Sequence, residues 1–271
     1  VTRVWGTNRI DTAVGVSRVS YDSSNSVIIA NGNSFPDALS GSALANALEA
    51  PILLTSKEAL SSEITKEITR LNPKNIFVLG STGSVSENVE NQLRSFAKVT
   101  RLGGENRYET SALIAREVID IYGKIGVGLA SGEDFPDALT SISFLDAKQI
   151  PLLLTGPKDL PQITKNFIFN HYINDITVFG GEKSISNEAL SSLGSVNRIS
   201  GDNRYKTAIE IAKKSYPNSK SLILVNGNSY ADALASSALM AKHEAPIMLV
   251  EKNGIPKEVE DYILAKSPDN I

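Results

Sequence analysis

The chain has 271 residues, 41% apolar and 21% charged, which excludes disordered, collagenous and coiled-coil classes and leaves residues for more than one core. Its net charge of −3 argues against a dedicated nucleic-acid binder, whose footprint is a basic excess, so any anion site must be a local patch. Cysteine is absent, which removes disulfides, thiolate metal sites and cysteine nucleophiles, and no apolar run reaches the roughly 18 residues of a membrane-spanning helix.

In chain order, residues 3–5 read as a strand that leads into a helix over 9–19. Residues 26–30, 51–55 and 75–80 are short, nearly continuous apolar runs ending in polar residues or glycine, the pattern of buried parallel strands. Between them, residues 36–48 and 60–71 carry helical spacing, with Leu60, Ile64, Ile68 and Leu71 on one face. A strand over 99–102 then precedes a helix over 107–122, and the series starts again.

The restart is an internal repeat. The segment R-x-x-G-x-N-R-[YI]-x-T begins at Arg3, Arg101 and Arg198, at spacings of 98 and 97 residues. The segment [NS]-G-x-x-[FY]-x-D-A-L follows at Asn31, Ser131 and Asn226. Next come Pro51-Ile52-Leu53-Leu54, Pro151-Leu152-Leu153-Leu154 and Pro246-Ile247-Met248-Leu249, and Val78-Leu79-Gly80 corresponds to Val178-Phe179-Gly180. A period this long is a small domain, not a turn of a solenoid. Three domains are therefore expected, at 1–98, 99–195 and 196–271, with the third cut short at its C-terminal side. Strand–helix alternation with short connections predicts an α/β fold of three tandem Rossmann- or flavodoxin-like parallel-sheet domains. No Pro/Gly/Ser linker separates them, so head-to-tail packing as a pseudo-threefold trimer is expected.

The polar residues repeated in all three copies lie just beyond a strand's carboxyl end or in the first turn of the next helix. In open parallel sheets that edge binds ligands, and helix N-termini there suit an anion. Six of the ten arginines occupy the repeated positions: Arg3, Arg9, Arg101, Arg107, Arg198 and Arg204. A planar fork kept at one spot three times suggests bidentate recognition of carboxylate or phosphate. Structural salt bridges to Asp37, Asp137 and Asp232 are the competing reading. Asn8, Asn106 and Asn203 fit N-caps, with Glu109 completing a capping box, and ligand contact comes second to that role. Asp37, Asp137 and Asp232 sit where an acid complements a helix dipole, with Ser34 and Asp134 as expected caps. Phe35, Phe135 and Tyr230 suit either sugar-stacking platforms or plugs of the adjacent core. Trp5 has no aromatic counterpart in the other copies.

Catalytic readings are weaker. His171 and His243 fall at unmatched positions, which argues against a repeated triad or histidine metal site. Leu102–Arg107 follows a strand and opens a helix but lacks both nucleotide-loop spacings. No cofactor and no metal are expected.

These segments, in this order three times over, resemble the cell wall binding repeat 2 family of clostridial and related surface proteins. The resemblance implies a Rossmann-like pseudotrimer, secreted and held noncovalently to an anionic wall polysaccharide, with surface-layer proteins as a candidate further partner. In that family the I-L-L strand is implicated in anchoring, which maps to Ile52, Leu53 and Leu54, to Leu152, Leu153 and Leu154, and in altered form to Ile247, Met248 and Leu249. The residue-level reading of that strand is core. A ligand set of Arg3, Asn8, Arg9, Asp37, Arg101, Asn106, Arg107, Asp137, Arg198, Asn203, Arg204 and Asp232 follows for a non-enzymatic wall anchor. The alternatives are a wall glycan or peptide hydrolase that uses the repeated aspartates, and a purely structural assembly module. No leader is legible before Val1, so the wall or cell-surface location rests on the resemblance.

Overall fold

The computed structural model describes residues 1–123 and 126–271. In the first unit, α1 (Arg9–Ser20), β1 (Ser26–Asn31), α2 (Pro36–Ala47), β2 (Ile52–Thr55), α3 (Ser62–Leu71), β3 (Asn75–Leu79), α4 (Glu87–Leu93) and β4 (Lys98–Leu102) alternate. The second unit repeats this as α5 (Arg107–Tyr122), β5 (Gly126–Ser131), α6 (Pro136–Lys148), β6 (Leu152–Thr155), α7 (Gln162–Asn170), β7 (Asp175–Phe179), α8 (Asn187–Leu190) and β8 (Asn197–Ile199). The third holds α9 (Arg204–Ser215), β9 (Ile223–Asn226), α10 (Tyr230–Ala235), α11 (Ser237–His243), β10 (Ile247–Val250) and α12 (Lys257–Lys266). No helix among the described residues is long and apolar enough to cross a membrane.

Both four-stranded sheets are wholly parallel, with orders β2-β1-β3-β4 and β6-β5-β7-β8, and β9 pairs with β10 in the third. The reversal of direction after β2 puts successive helices on opposite faces. On the outer face, Ile64, Ile68 and Leu71 of α3 meet Val89 and Leu93 of α4 over Val27, Ile29 and Leu53. On the inner face, one core runs through all three units and includes Leu39, Leu139 and Leu234.

Two expectations need correction. The strand that was to open the second domain at residue 99 is the last strand of the first sheet, where Ile76 pairs with Val99 and Val78 with Arg101. Likewise β8 completes the second sheet, so boundaries at 98/99 and 195/196 each cut a sheet. The sequence repeat and the folded unit are offset by one strand, because the crossover through α4 or α8 returns that strand to its own sheet while the next helix packs onward. Residues 3–5, expected as a strand, carry no strand assignment; beside them the Thr2 amide donates to the Ile271 carbonyl at 2.7 Å.

The units meet in cyclic order. Helix α5 packs on α2, α9 on α6, and α1 on α10 and α11. Helix α2 also touches α6, and α10 touches both. The sequence permits this because the inner helices are rich in Ala, Ser and Gly, so backbones approach closely. Their buried hydroxyls bond back to helix carbonyls, Ser42 to Ala38 at 3.1 Å and Ser141 to Ala138 at 2.6 Å. Other hydroxyls cover strand edges: Ser111 accepts from the Leu154 amide at 3.1 Å, and Ser143 accepts from Ile247 of the next unit at 3.0 Å.

One buried ion cluster is confined to the first unit. Glu67 has a fully buried side chain and accepts from Ser17 at 2.6 Å, Arg18 at 3.2 Å and Arg70 at 2.6 Å. Burial alone would raise its pKa; the bonds from Arg70, Ser17 and Arg18 outweigh burial and hold it below the ordinary value. Glu67→Ala removes the buried acceptor shared by Ser17, Arg18 and Arg70, with an expected loss of about 2 kcal/mol in urea unfolding at pH 7. Because the folded pKa is depressed, this contribution is present above the ordinary glutamate pKa. The difference between variant and parent shrinks as pH falls below about 4.5.

Candidate functional site

Three corresponding seams arise where one unit meets the next. Each is built from the turn after a unit's first strand and the N-terminus of its leading helix. Asn8 caps α1 by accepting from the Ile10 and Asp11 amides, Asn106 caps α5 in the same way, and Asn203 caps α9 through the Lys206 amide. Glu109 reaches the amide of Glu105, one residue short of the expected capping box. The caps fix the next residue, an arginine, in the first helical turn. From there Arg9 Nη1 donates to the Gly32 carbonyl, Arg107 Nη1 to Gly132, and Arg204 Nη1 to Gly227 at 2.9 Å.

Those glycines sit on the disputed I-L-L strand. The amides of Gly32, Gly132 and Gly227 each donate at 2.8 Å to the carbonyl just after that strand's leucines: Thr55, Thr155 and Val250. A Cβ on Gly132 would stand 3.0 Å from Arg107 Cδ and 3.5 Å from Leu154 Cβ. Ile52, Leu53 and Leu54 are buried, as are Leu152, Leu153, Leu154, Ile247, Met248 and Leu249. The strand is core, and it seats the turn that holds the arginine.

The aspartates face the arginine of the following unit. Asp37 feels Arg107, Asp137 feels Arg204, and Asp232 feels Arg9. Among the described residues no ion pair joins these partners, so the expected salt bridges are long-range attractions. Instead Asp37 accepts from Ser84 at 2.8 Å, and Asp137 from Ser184 at 2.9 Å. Gly80 and Gly180 arch over these carboxylates at φ +87° and +102°, and a Cβ on either would collide with the Asp Oδ2. Burial pushes all three carboxyls above the ordinary aspartate value, with the hydroxyls and arginines opposing it where present. Ser34 and Asp134 do not cap: Phe35 and Phe135 hold the N-cap positions without side-chain bonds, with proline in the first turn behind each.

Phe35, Phe135 and Tyr230 form a triangle with centroids 5.6, 5.7 and 5.7 Å apart. They pack on each other where the units converge, which favours the plug over the sugar platform. The second arginine set divides. Arg101 is only 17% exposed and is spent internally, on Glu90 at 2.7 Å, Gly80 O at 2.8 Å and Val85 O at 2.9 Å. All three of its nitrogens are engaged, which removes it from the ligand set. Arg198 holds Gly180 O at 2.8 Å and Asn187 at 3.1 Å, whereas Arg3 is exposed.

The other ends of the central helices have the opposite character. Glu49, Asp146 and Glu244 gather there beside Tyr21, Tyr122 and Tyr216, and Tyr216 donates to Asp146. Burial and nearby carboxylates push Tyr21 and Tyr122 up to about 12, and burial with Glu244 raises Asp146. A cavity of about 340 Å³ lined by Tyr122, Asp146, Tyr216 and Glu244 lies there, of the wrong sign for an anion. This cluster was not read from the sequence; the tyrosine closing the leading helix in each copy was the available signal.

The repeated turns, arginines and buried strands coincide with a family pattern. The model of cell wall binding domain 2 (CWB2) matches residues 3–90, 101–190 and 198–267. The chain belongs to the CWB2 family. It is 32% identical over 272 residues to the N-acetylmuramoyl-L-alanine amidase LytC of Bacillus subtilis, covering 100% of this chain and 54% of LytC. It is 32% identical to the amidase enhancer of the same organism, over 94% of this chain and 35% of that protein. Two solved structures from Clostridium difficile share the fold. Cwp6 superposes with a TM-score of 0.87 at 30% identity, covering 97% of this chain and 43% of that one. Cwp8 gives 0.86 at 27%, covering 96% and 46%. The chain spans about half or less of the length of these CWB2 relatives.

The raised aspartates give a test of the seam's electrostatics. A carboxyl whose folded pKa is raised favours the fold below its ordinary pKa and loses that favour as pH rises through the folded value. Asp37→Asn, which keeps an acceptor for Ser84, is expected to raise Tm at pH 7 by about 2 °C. The gain closes as pH falls below about 4, measured by calorimetry across pH.

Proposed function

We propose that this CWB2 region anchors a secreted protein noncovalently to an anionic cell-wall polysaccharide, without catalysis of its own. The units would close as a pseudo-threefold ring, supported by the cyclic helix contacts and the triangle of rings. The observation that carries the reading is the state of Arg9, Arg107 and Arg204. Each is fixed through Nη1, which donates to a glycine carbonyl and in Arg9 also meets the Tyr230 hydroxyl at 3.1 Å, and none lies within ion-pair distance of a carboxylate among the described residues. A guanidinium so held keeps its other N–H groups for a phosphate or carboxylate. One polymer chain repeats its charged group, so linked weak sites gain through effective concentration. The occurrence of the region in an amidase, an amidase enhancer and two clostridial proteins supports a module carried alongside different activities.

A purely structural role for the arginines has one observation in its favour, the same glycine bond. The triple substitution of Arg9, Arg107 and Arg204 by Gln separates the two readings when wall retention and melting are measured together. Wall anchoring predicts at least a tenfold loss of cosedimentation with purified walls and a Tm within a few degrees of the parent. It also predicts weaker retention at 0.5 M than at 0.05 M salt, since exposed charges are screened beyond about 10 Å at 0.1 M. Unchanged retention with a collapsed Tm overturns it in favour of the structural role, and release of sugar or new amines from walls overturns it in favour of a hydrolase.

A further inference from the structure

Building on the wall-anchoring reading, we propose that the three seams are not equivalent: the seam between the third and first units is an internal clasp, and anionic groups of the polymer bind at the other two. The determinant is one oxygen atom, the hydroxyl of Tyr230.

The three rings are near-congruent in position, and beside each lies the arginine of the following unit. At the third-to-first seam, Tyr230 Oη stands 3.1 Å from Arg9 Nη1 and 3.1 Å from the Gly32 carbonyl. The phenol thus accepts from the guanidinium and donates to the carbonyl that the same guanidinium holds. Arg9 Cζ also lies 5.6 Å from the centroid of the Tyr230 ring. Carbonyl, guanidinium and phenol form a closed hydrogen-bonded triangle across the seam. An incoming phosphate or carboxylate finds Arg9 Nη1 already shared between the carbonyl and the phenol.

The other seams lack that triangle. Phe35 and Phe135 take the place of Tyr230 and offer no oxygen, so Arg107 and Arg204 have no cross-seam ring partner of that kind. Glu133 replaces the asparagine that stands 3.5 Å from the other two arginines, yet forms no ion pair with Arg107 among the described residues. The distribution has a mechanical reason. Residues 103–106 and 200–203 run from one unit straight into the next at the first two seams, whereas the third is held by noncovalent contacts, the backbone bond from Thr2 to Ile271 among them. Besides Tyr230, Lys242 donates to the Ser20 carbonyl at 3.3 Å across it. A hydroxyl at the unlinked seam closes the assembly; its absence at the linked seams leaves their cations to a ligand.

The test exchanges the ring hydroxyl between seams in the full chain. Phe35→Tyr, Phe135→Tyr and Tyr230→Phe are compared with the parent for cosedimentation with walls purified from Bacillus subtilis and Clostridium difficile, and for Tm. Each Phe→Tyr variant is expected to weaken wall retention about fivefold while Tm holds or rises. Tyr230→Phe is expected to lower Tm by about 2–4 °C and to strengthen retention as a third seam opens. A cooperative melt for each variant shows that it folds. If both Phe→Tyr variants keep parental retention, or Tyr230→Phe weakens it, the inference is overturned while wall anchoring stands. If the parent itself binds neither wall, both fall together.

Discussion

Helix α2 buries eleven of its twelve residues, and a helix with no solvated face cannot lie at the rim of a two-layer unit. It must be enclosed on every side, and one sheet with its own outer helices encloses only part of it. The remainder comes from α5 and α6 of the next unit and α10 of the third. The same holds for α6, whose neighbours are α9, α2 and α10. Burial at roughly 25 cal/mol per Å² of apolar surface makes these shared contacts a large fraction of each unit's core. The individual units are therefore incomplete folds. Their seams are fixed parts of the interior, and a site built on a seam inherits that rigidity.

The I-L-L strand belongs to this rigid frame. It is the edge strand of its sheet, its backbone met by hydroxyls of neighbouring helices, and the carbonyl following it receives the glycine amide of the arginine turn. Shifting that strand shifts the carbonyl to which the guanidinium is tied. Strand and guanidinium are thus separated by two hydrogen bonds.

Much of the fold was legible because it is local. The caps at Asn8, Asn106 and Asn203, the buried strands and the amphipathic α3 all follow from neighbours in sequence. What escaped was the partner of each polar group. Arg9 and Asp37 share a repeat, and the sequence left open whether such partners meet within one unit or between two; Asp37 faces Arg107 and Arg9 faces Asp232. The offset between sequence repeat and folded unit causes this, since the arginine helix packs on the far side of the strand preceding it. Arg101 shows the opposite failure. Its motif position equals that of Arg3, but only the packing of Glu90 and Val85 against it reveals that its charge is consumed.

The two ends of the central helices differ in kind. Guanidiniums, helix N-termini and the repeated aspartates share one pole, while Glu49, Asp146 and Glu244 collect with helix C-termini at the other, about 18 Å away along a twelve-residue helix. The net charge of −3 is thus unevenly laid out: cations and acids interleave at one end, whereas acids and phenols gather at the other.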